Sequence, residues 1–131
     1  MGLDWKIDSR ARLVTIMADG PVTRADVDRY LDAVDGAGAL TYRKLLDASK
    51  GVVAMDQEDL FAIGARFRSH HGQPVGPLAI VVTQAQPEPV ARLLGMLASA
   101  DRPMRLFASR LTAQRWLDRL AEPSGGSRRP T

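Results

Sequence analysis

The chain has 131 residues, enough for one domain and too few for two ordinary ones. Hydrophobic residues make up 45% and charged residues 25%, the balance of a globular domain that builds its own core. There is no cysteine, which excludes a disulfide framework, thiolate catalysis and cysteine-ligated metal centres, and the formal net charge is only +3.

Two of those positive charges are Arg128 and Arg129, close to the end of the sequence. The other arginines, among them Arg10, Arg24, Arg43, Arg66, Arg92 and Arg105, are scattered rather than gathered on one stretch. With aromatics at 5% there is little for bases to stack on, so nucleic-acid binding is not expected. No run approaches the ~18 apolar residues of a membrane helix, and residues 1–8 hold no apolar run of signal-peptide length. Met1-Gly2 opens like a myristoylation signal, but Lys6 stands where that motif needs Ser or Thr. The expectation is a cytoplasmic chain with no cofactor and no metal.

In chain order, residues 5–7 and 12–18 are two predicted strands joined by the turn Asp8-Ser9-Arg10-Ala11. The second is apolar on both faces, with Leu13, Thr15 and Met17 on one and Val14, Ile16 and Ala18 on the other, which predicts a central strand. Asp19-Gly20-Pro21 is turn chemistry and is expected to end it. Thr23 then caps a helix, with Asp26 three residues on as a capping box, and Val27, Tyr30, Leu31 and Val34 form its inward stripe. Gly36 and Gly38 stop that helix.

Residues 42–48 are the next predicted strand, apolar at Leu45 and Leu46 and followed by a short loop. Asp56 caps a second helix, Asp59 favours the positive end of its dipole, and Leu60, Ile63, Gly64 and Phe67 face inward. Residues 78–83 form an uninterrupted apolar strand covered on both faces. Pro87 and Pro89 suit the first turn of a third helix with Val90, Leu93, Leu94 and Leu97 inward. Residues 104–108 are the last strand, and Ser109 or Thr112 starts a fourth helix with Ala113, Trp116, Leu117 and Leu120 inward. Strand, strand and helix, then strand and helix three times, predicts an α/β fold: a single-layer, mostly parallel five-stranded sheet with one antiparallel strand and helices on both faces. The domain spans residues 1–121, and the Ser, Gly, Arg and Pro composition of residues 122–131 predicts a flexible tail.

Three motifs stand out against that order. The strand end Leu46-Asp47-Ala48-Ser49 is followed by a loop carrying Val52 and Met55 and by Asp56 opening a helix. Asp19-Gly20-Pro21-Val22-Thr23-Arg24-Ala25-Asp26 precedes the first helix. Arg105-Leu106-Phe107 leads into Ala113 and Trp116-Leu117. Together they resemble the STAS domain, the anti-sigma-factor-antagonist fold, and its SpoIIAA-like (STAS/SEC14-type) relatives, over residues 5–120. In regulatory STAS proteins the serine directly after the helix-opening aspartate accepts a phosphoryl group from a partner kinase. Here that position is Gln57, followed by Glu58, whose charge repels phosphate. The resemblance therefore implies the fold and a binding function, without the phosphoswitch.

The candidate surface for a protein partner, or for a second copy, is that loop and helix start: Val52, Val53 and Met55 as apolar anchors, with Asp56, Gln57 and Glu58. Met96 is a further candidate for self-association. Ser49, Thr83 and Ser109 end three consecutive strands, so a parallel sheet gathers their hydroxyls at one candidate ligand rim, although strand ends and caps are rich in such residues anyway. His70-His71 at a helix end do not converge on one metal ion. Asp47 with Asp56 is the nearest thing to an acid/base pair, and turn and cap roles account for both. Gly36-Ala37-Gly38 follows a helix, the wrong context for a dinucleotide fingerprint. The expected function is a non-enzymatic interaction module. The alternative is a SEC14-like carrier with a small molecule or lipid held between sheet and helices.

Overall fold

The computed structural model describes residues 2–68, 76–82 and 103–121. The predicted third helix with Met96, the His70-His71 pair, Thr83 and the tail lie outside those residues. The described elements are β1 (Leu3–Asp8), β2 (Leu13–Val22), α1 (Arg24–Gly36), β3 (Arg43–Val53), α2 (Gln57–Arg68), β4 (Leu78–Val81), β5 (Met104–Phe107) and α3 (Arg110–Ala121). The strands form one sheet in sequential order, β1 antiparallel to β2 and every other pair parallel.

Local chemistry sets the ends. The Asp8 carboxylate accepts from the Arg10 and Ala11 amides, both at 3.0 Å, and closes the first hairpin as an Asx turn. Arg12 completes it in the left-handed region, φ 53°. Thr23 and Asp26 make the predicted capping box, the Thr23 amide donating to Asp26 Oδ2 at 2.9 Å and the Asp26 amide to Thr23 Oγ1 at 3.2 Å. Ala37 follows α1 as its C-cap, and Gly38 takes the left-handed conformation that ends the turn, φ 69°.

Sequential parallel strands joined by right-handed crossovers put their connecting helices on one face of the sheet. That face buries Val14 and Ile16 under Val34 of α1, with Trp5, Ile7, Tyr30 and Leu46 packed around them. Trp5 and Tyr30 meet edge to face, centroids 5.6 Å apart. α2 lies beside α1, buries Leu60 and Ile63, and sends Arg66 to Asp28 (3.2 Å) and Asp32 (2.6 Å) of α1. α3, which follows β5, covers the opposite face, where Ala113 and Leu117 pack on Leu45, Ala79 and Val81. Arg43 bonds the Leu117 and Ala11 carbonyls (3.0 and 2.7 Å), tying the end of α3 to the first hairpin.

Three expectations are corrected. Asp19-Gly20-Pro21 does not end β2, and the strand continues to Val22. β3 does not stop near Ala48 but runs to Val53, because residues 50–53 pair with residues 19–22 in register. Between Met17↔Asp47 and Asp19↔Lys50 the register shifts, so Ala48 and Ser49 together oppose Ala18 as a β-bulge. Leu120 is 43% exposed rather than inward. Trp116, expected inward beside it, is half-buried against Phe107.

The β2–β3 ribbon depends on a close approach at Gly51, where a Cβ would lie 2.5 Å from the Ala18 Cβ. Gly51→Ala should cost about 1–3 kcal/mol in denaturant unfolding, and adding Ala18→Gly should return part of it as a coupling energy in the double-mutant cycle. Asp26 carries a pH signature. Its pKa is held below the usual carboxylate value, first by the Thr23 amide, against the opposing effect of burial, and then by the Thr23 hydroxyl and the Arg29 guanidinium. A depressed folded pKa gives stability that is complete above the unfolded carboxylate range, about pH 4, and is lost as pH falls through the folded value. Urea titrations of the native chain should lose stability over that interval more steeply than those of Asp26→Asn.

Candidate functional site

The stretch from Asp47 to Leu60 begins inside the sheet and leaves it. Asp47 pairs with both Met17 and Val81, so β3 is still flanked on both sides there. Beyond the bulge, among the described residues, only β2 accompanies it, and residues 19–22 and 50–53 form a two-stranded ribbon past the end of β4. The Ala54 amide closes the ribbon on the Val22 carbonyl at 2.8 Å. Side chains alternate along it. Val53 is half-buried, while Val52 points to the other face and is 61% exposed. Met55 is half-buried between ribbon and helix.

α2 starts immediately afterwards with a reciprocal cap of its own. The Asp59 amide donates to Asp56 Oδ1 at 2.9 Å and the Asp56 amide to Asp59 Oδ2 at 3.2 Å. Gln57 and Glu58 are exposed in the first turn. Asp56, Glu58 and Asp59 thus crowd negative charge around the positive end of the helix dipole, with Arg24 of α1 3.9 Å from Asp59. An anion would meet a terminus that its own carboxylates already neutralise. Phe61, one turn after Gln57, is 62% exposed. The partner-surface assignment passed over Phe61, although position 61 falls between the inward positions 60 and 63, which is the signal that would have exposed it.

Of the candidate rim, Ser49, in the bulge of β3, and Ser109, two residues past β5, lie at the same end of the sheet, since Asp47, Val81 and Phe107 share one row. β4 separates them, which sets their backbones about 10 Å apart at two strand spacings. Each hydroxyl is engaged locally. Ser49 donates to Asp47 Oδ1 at 2.6 Å, and Ser109 Oγ accepts from the Thr112 amide at 3.3 Å as the N-cap of α3. The Asp47 carboxylate also accepts from the Ser49 amide at 3.1 Å. Asp47 and Asp56 therefore each close a local turn or cap.

Lys44 was not anticipated as a core residue. It is buried on the α1 face and donates to the Leu40 and Tyr42 carbonyls at 2.6 and 2.8 Å. Among the described residues no group of three or more His, Asp or Glu gathers as a metal site, and no helix is long and apolar enough to cross a membrane.

A mostly parallel sheet in sequential order, opened by an antiparallel strand and covered by helices on both faces, defines the class. Within it the chain has a SpoIIAA-like fold. It is similar to the solved structure of an uncharacterized protein from the DUF3478 family with a SpoIIAA-like fold from Shewanella loihica PV-4, with a TM-score of 0.63, 16% identity, and coverage of 88% of this chain and 94% of that one. No family model matches the sequence, and no curated protein matches it. At that identity the likeness establishes the fold.

The caps make a direct prediction. Ser109→Ala and Asp56→Ala should each cost about 1 kcal/mol, and Ser109→Asp should hold nearly native stability. Thermal unfolding monitored by circular dichroism measures all three.

Proposed function

We propose that this chain is a non-enzymatic, STAS-like interaction module that binds a protein partner or another copy of itself through the surface at residues 47–61. One observation carries the reading. Val52 stands exposed on a ribbon that projects from the sheet beside the start of α2, while its neighbour Val53 is half-buried on the other face. Exposed apolar side chains on a rigid, hydrogen-bonded element are the anchors that interfaces bury. Phe61 supplies a second large apolar group on the neighbouring helix. Gln57 and Glu58 set the polar character between them, and Gln57 removes the group a kinase would modify. Regulation through this surface then rests on the partner's concentration rather than on phosphorylation here.

The carrier alternative asks for an enclosed apolar cavity of several hundred Å³. The described residues border an open cleft of about 270 Å³ lined by Leu3, Asp4, Trp5 and Arg29, two of them charged. A cleft of that shape suits the edge of an interface better than a lipid chain.

Native mass spectrometry of the chain purified gently from its own host tests the reading. A complex with a protein, or copies held through this surface, is expected, and Val52→Asp and Phe61→Asp should each remove the partner or the copies bound there while leaving the thermal midpoint within a few degrees of native. A co-purifying small molecule on an otherwise single chain would replace the module with the carrier.

A further inference from the structure

β1 ends the sheet, and among the described residues no strand lies on its outer side. The inner ladder determines which of its backbone groups face outward. The Asp19 amide donates to the Gly2 carbonyl at 3.0 Å, and the register continues from Leu3↔Ala18 to Asp8↔Leu13. Hydrogen-bonded and non-hydrogen-bonded pairs alternate along an antiparallel ladder. Gly2, Asp4, Lys6 and Asp8 therefore turn their amides and carbonyls toward β2, and Leu3, Trp5 and Ile7 turn theirs outward. The side chains divide in the same way. Leu3, Trp5 and Ile7 are half-buried on the α1 face, and Asp4, Lys6 and Asp8 are exposed on the other.

We propose that this edge pairs antiparallel with β1 of a second copy of the chain, about a two-fold axis through Trp5, to make one continuous sheet. In that register Trp5 faces its own copy, Leu3 faces Ile7 and Asp4 faces Lys6. Every outward amide and carbonyl of Leu3, Trp5 and Ile7 then has a partner. Apolar side chains meet apolar ones on the α1 face. On the exposed face Asp4 meets Lys6 twice, in the non-hydrogen-bonded pairs where side chains come closest.

Neighbouring registers lose these matches. A shift of two residues sets Lys6 against Lys6 or Asp4 against Asp4 and leaves outward backbone groups unmatched. A shift of one residue puts charged side chains opposite apolar ones. Space for the second strand is present, because the open cleft lined by Leu3, Asp4, Trp5 and Arg29 lies along this edge, where Ile7 of the second copy would come beside Leu3. Like any two-fold contact, the pairing is self-complementary and closes after two chains. It uses a different part of the molecule from Val52 and Phe61, and neither interaction depends on the other.

Sedimentation equilibrium of the full chain, from micromolar to millimolar concentration, should show a species of twice 14.3 kDa. Asp4→Lys or Lys6→Asp alone sets like charges opposite each other at both ends of the pairing and should weaken it on the order of tenfold or more. The double variant D4K/K6D should restore native affinity. Both residues are exposed, and an unchanged circular dichroism melt verifies that each variant is folded. With no cysteine in the native chain, oxidised D4C/K6C should run as a covalent dimer on a non-reducing gel, and neither single cysteine variant should. A native chain that stays monomeric at millimolar concentration overturns the proposal. So does a dimer indifferent to Asp4→Lys, a double swap that fails to recover, or a D4C/K6C variant that does not cross-link.

Discussion

The parallel pairing of β2 with β3 is the constraint from which the rest of the molecule follows. These are the two longest strands, and their ladder continues past the end of β4 on one side of β3. Inside the sheet it aligns Val14 and Ile16 with Lys44 and Leu46 toward α1, and Leu13 and Thr15 with Arg43 and Leu45 toward the other face. Outside the sheet the same ladder becomes the ribbon that carries Val52. Gly51 makes this possible, since any larger residue there would meet the Ala18 methyl. The bulge at Ala48 and Ser49 lets the ladder resume after one extra residue, and it keeps Val53 on the half-buried side and Val52 on the open one.

Charge is used mainly to join elements. Arg66 bridges α2 to Asp28 and Asp32 of α1, and Arg24 reaches both Asp28 and Asp59. Arg43 links the last turn of α3 to the hairpin between β1 and β2. The Arg66 and Arg24 pairs are partly exposed, so each adds little by itself. Their value is in fixing how the two helices sit against one another. The arginines scattered through the sequence are in these cases struts between elements rather than parts of one basic surface.

The same economy governs the candidate site. Asp47, Ser49, Asp56, Asp59 and Ser109 are residues from which catalysis is often assembled, yet each has a side-chain oxygen committed to a neighbour two or three residues away. The exposed apolar groups have no such commitment. That contrast is why the surface is read as one for binding, with affinity drawn from burying Val52 and Phe61 rather than from a reacting group.

Much of this was legible in the sequence because it is local. The Thr23–Asp26 box, the Asp56–Asp59 cap, the Asp8 turn and the apolar stripes of Leu31 with Val34 and Leu60 with Ile63 are set within four residues, and the alternation of strands and helices fixed the parallel sheet by way of crossover handedness. Two stretches of turn-forming residues, Asp19-Gly20-Pro21 and Ser49-Lys50-Gly51, were misread for the opposite reason. Each taken alone favours a turn, but they lie at matching distances along adjacent strands, and pairing with each other outweighs their separate preferences. Helical spacing predicts both Trp116 and Leu120 inward on α3, but Trp116 meets a partner there, the Phe107 ring at the end of β5, and Leu120 is left exposed. Local spacing determined which elements form and where they start. Which of their residues are left facing solvent, Val52 and Phe61 above all, was decided only when distant segments came together, because exposure is a property of what else occupies the space.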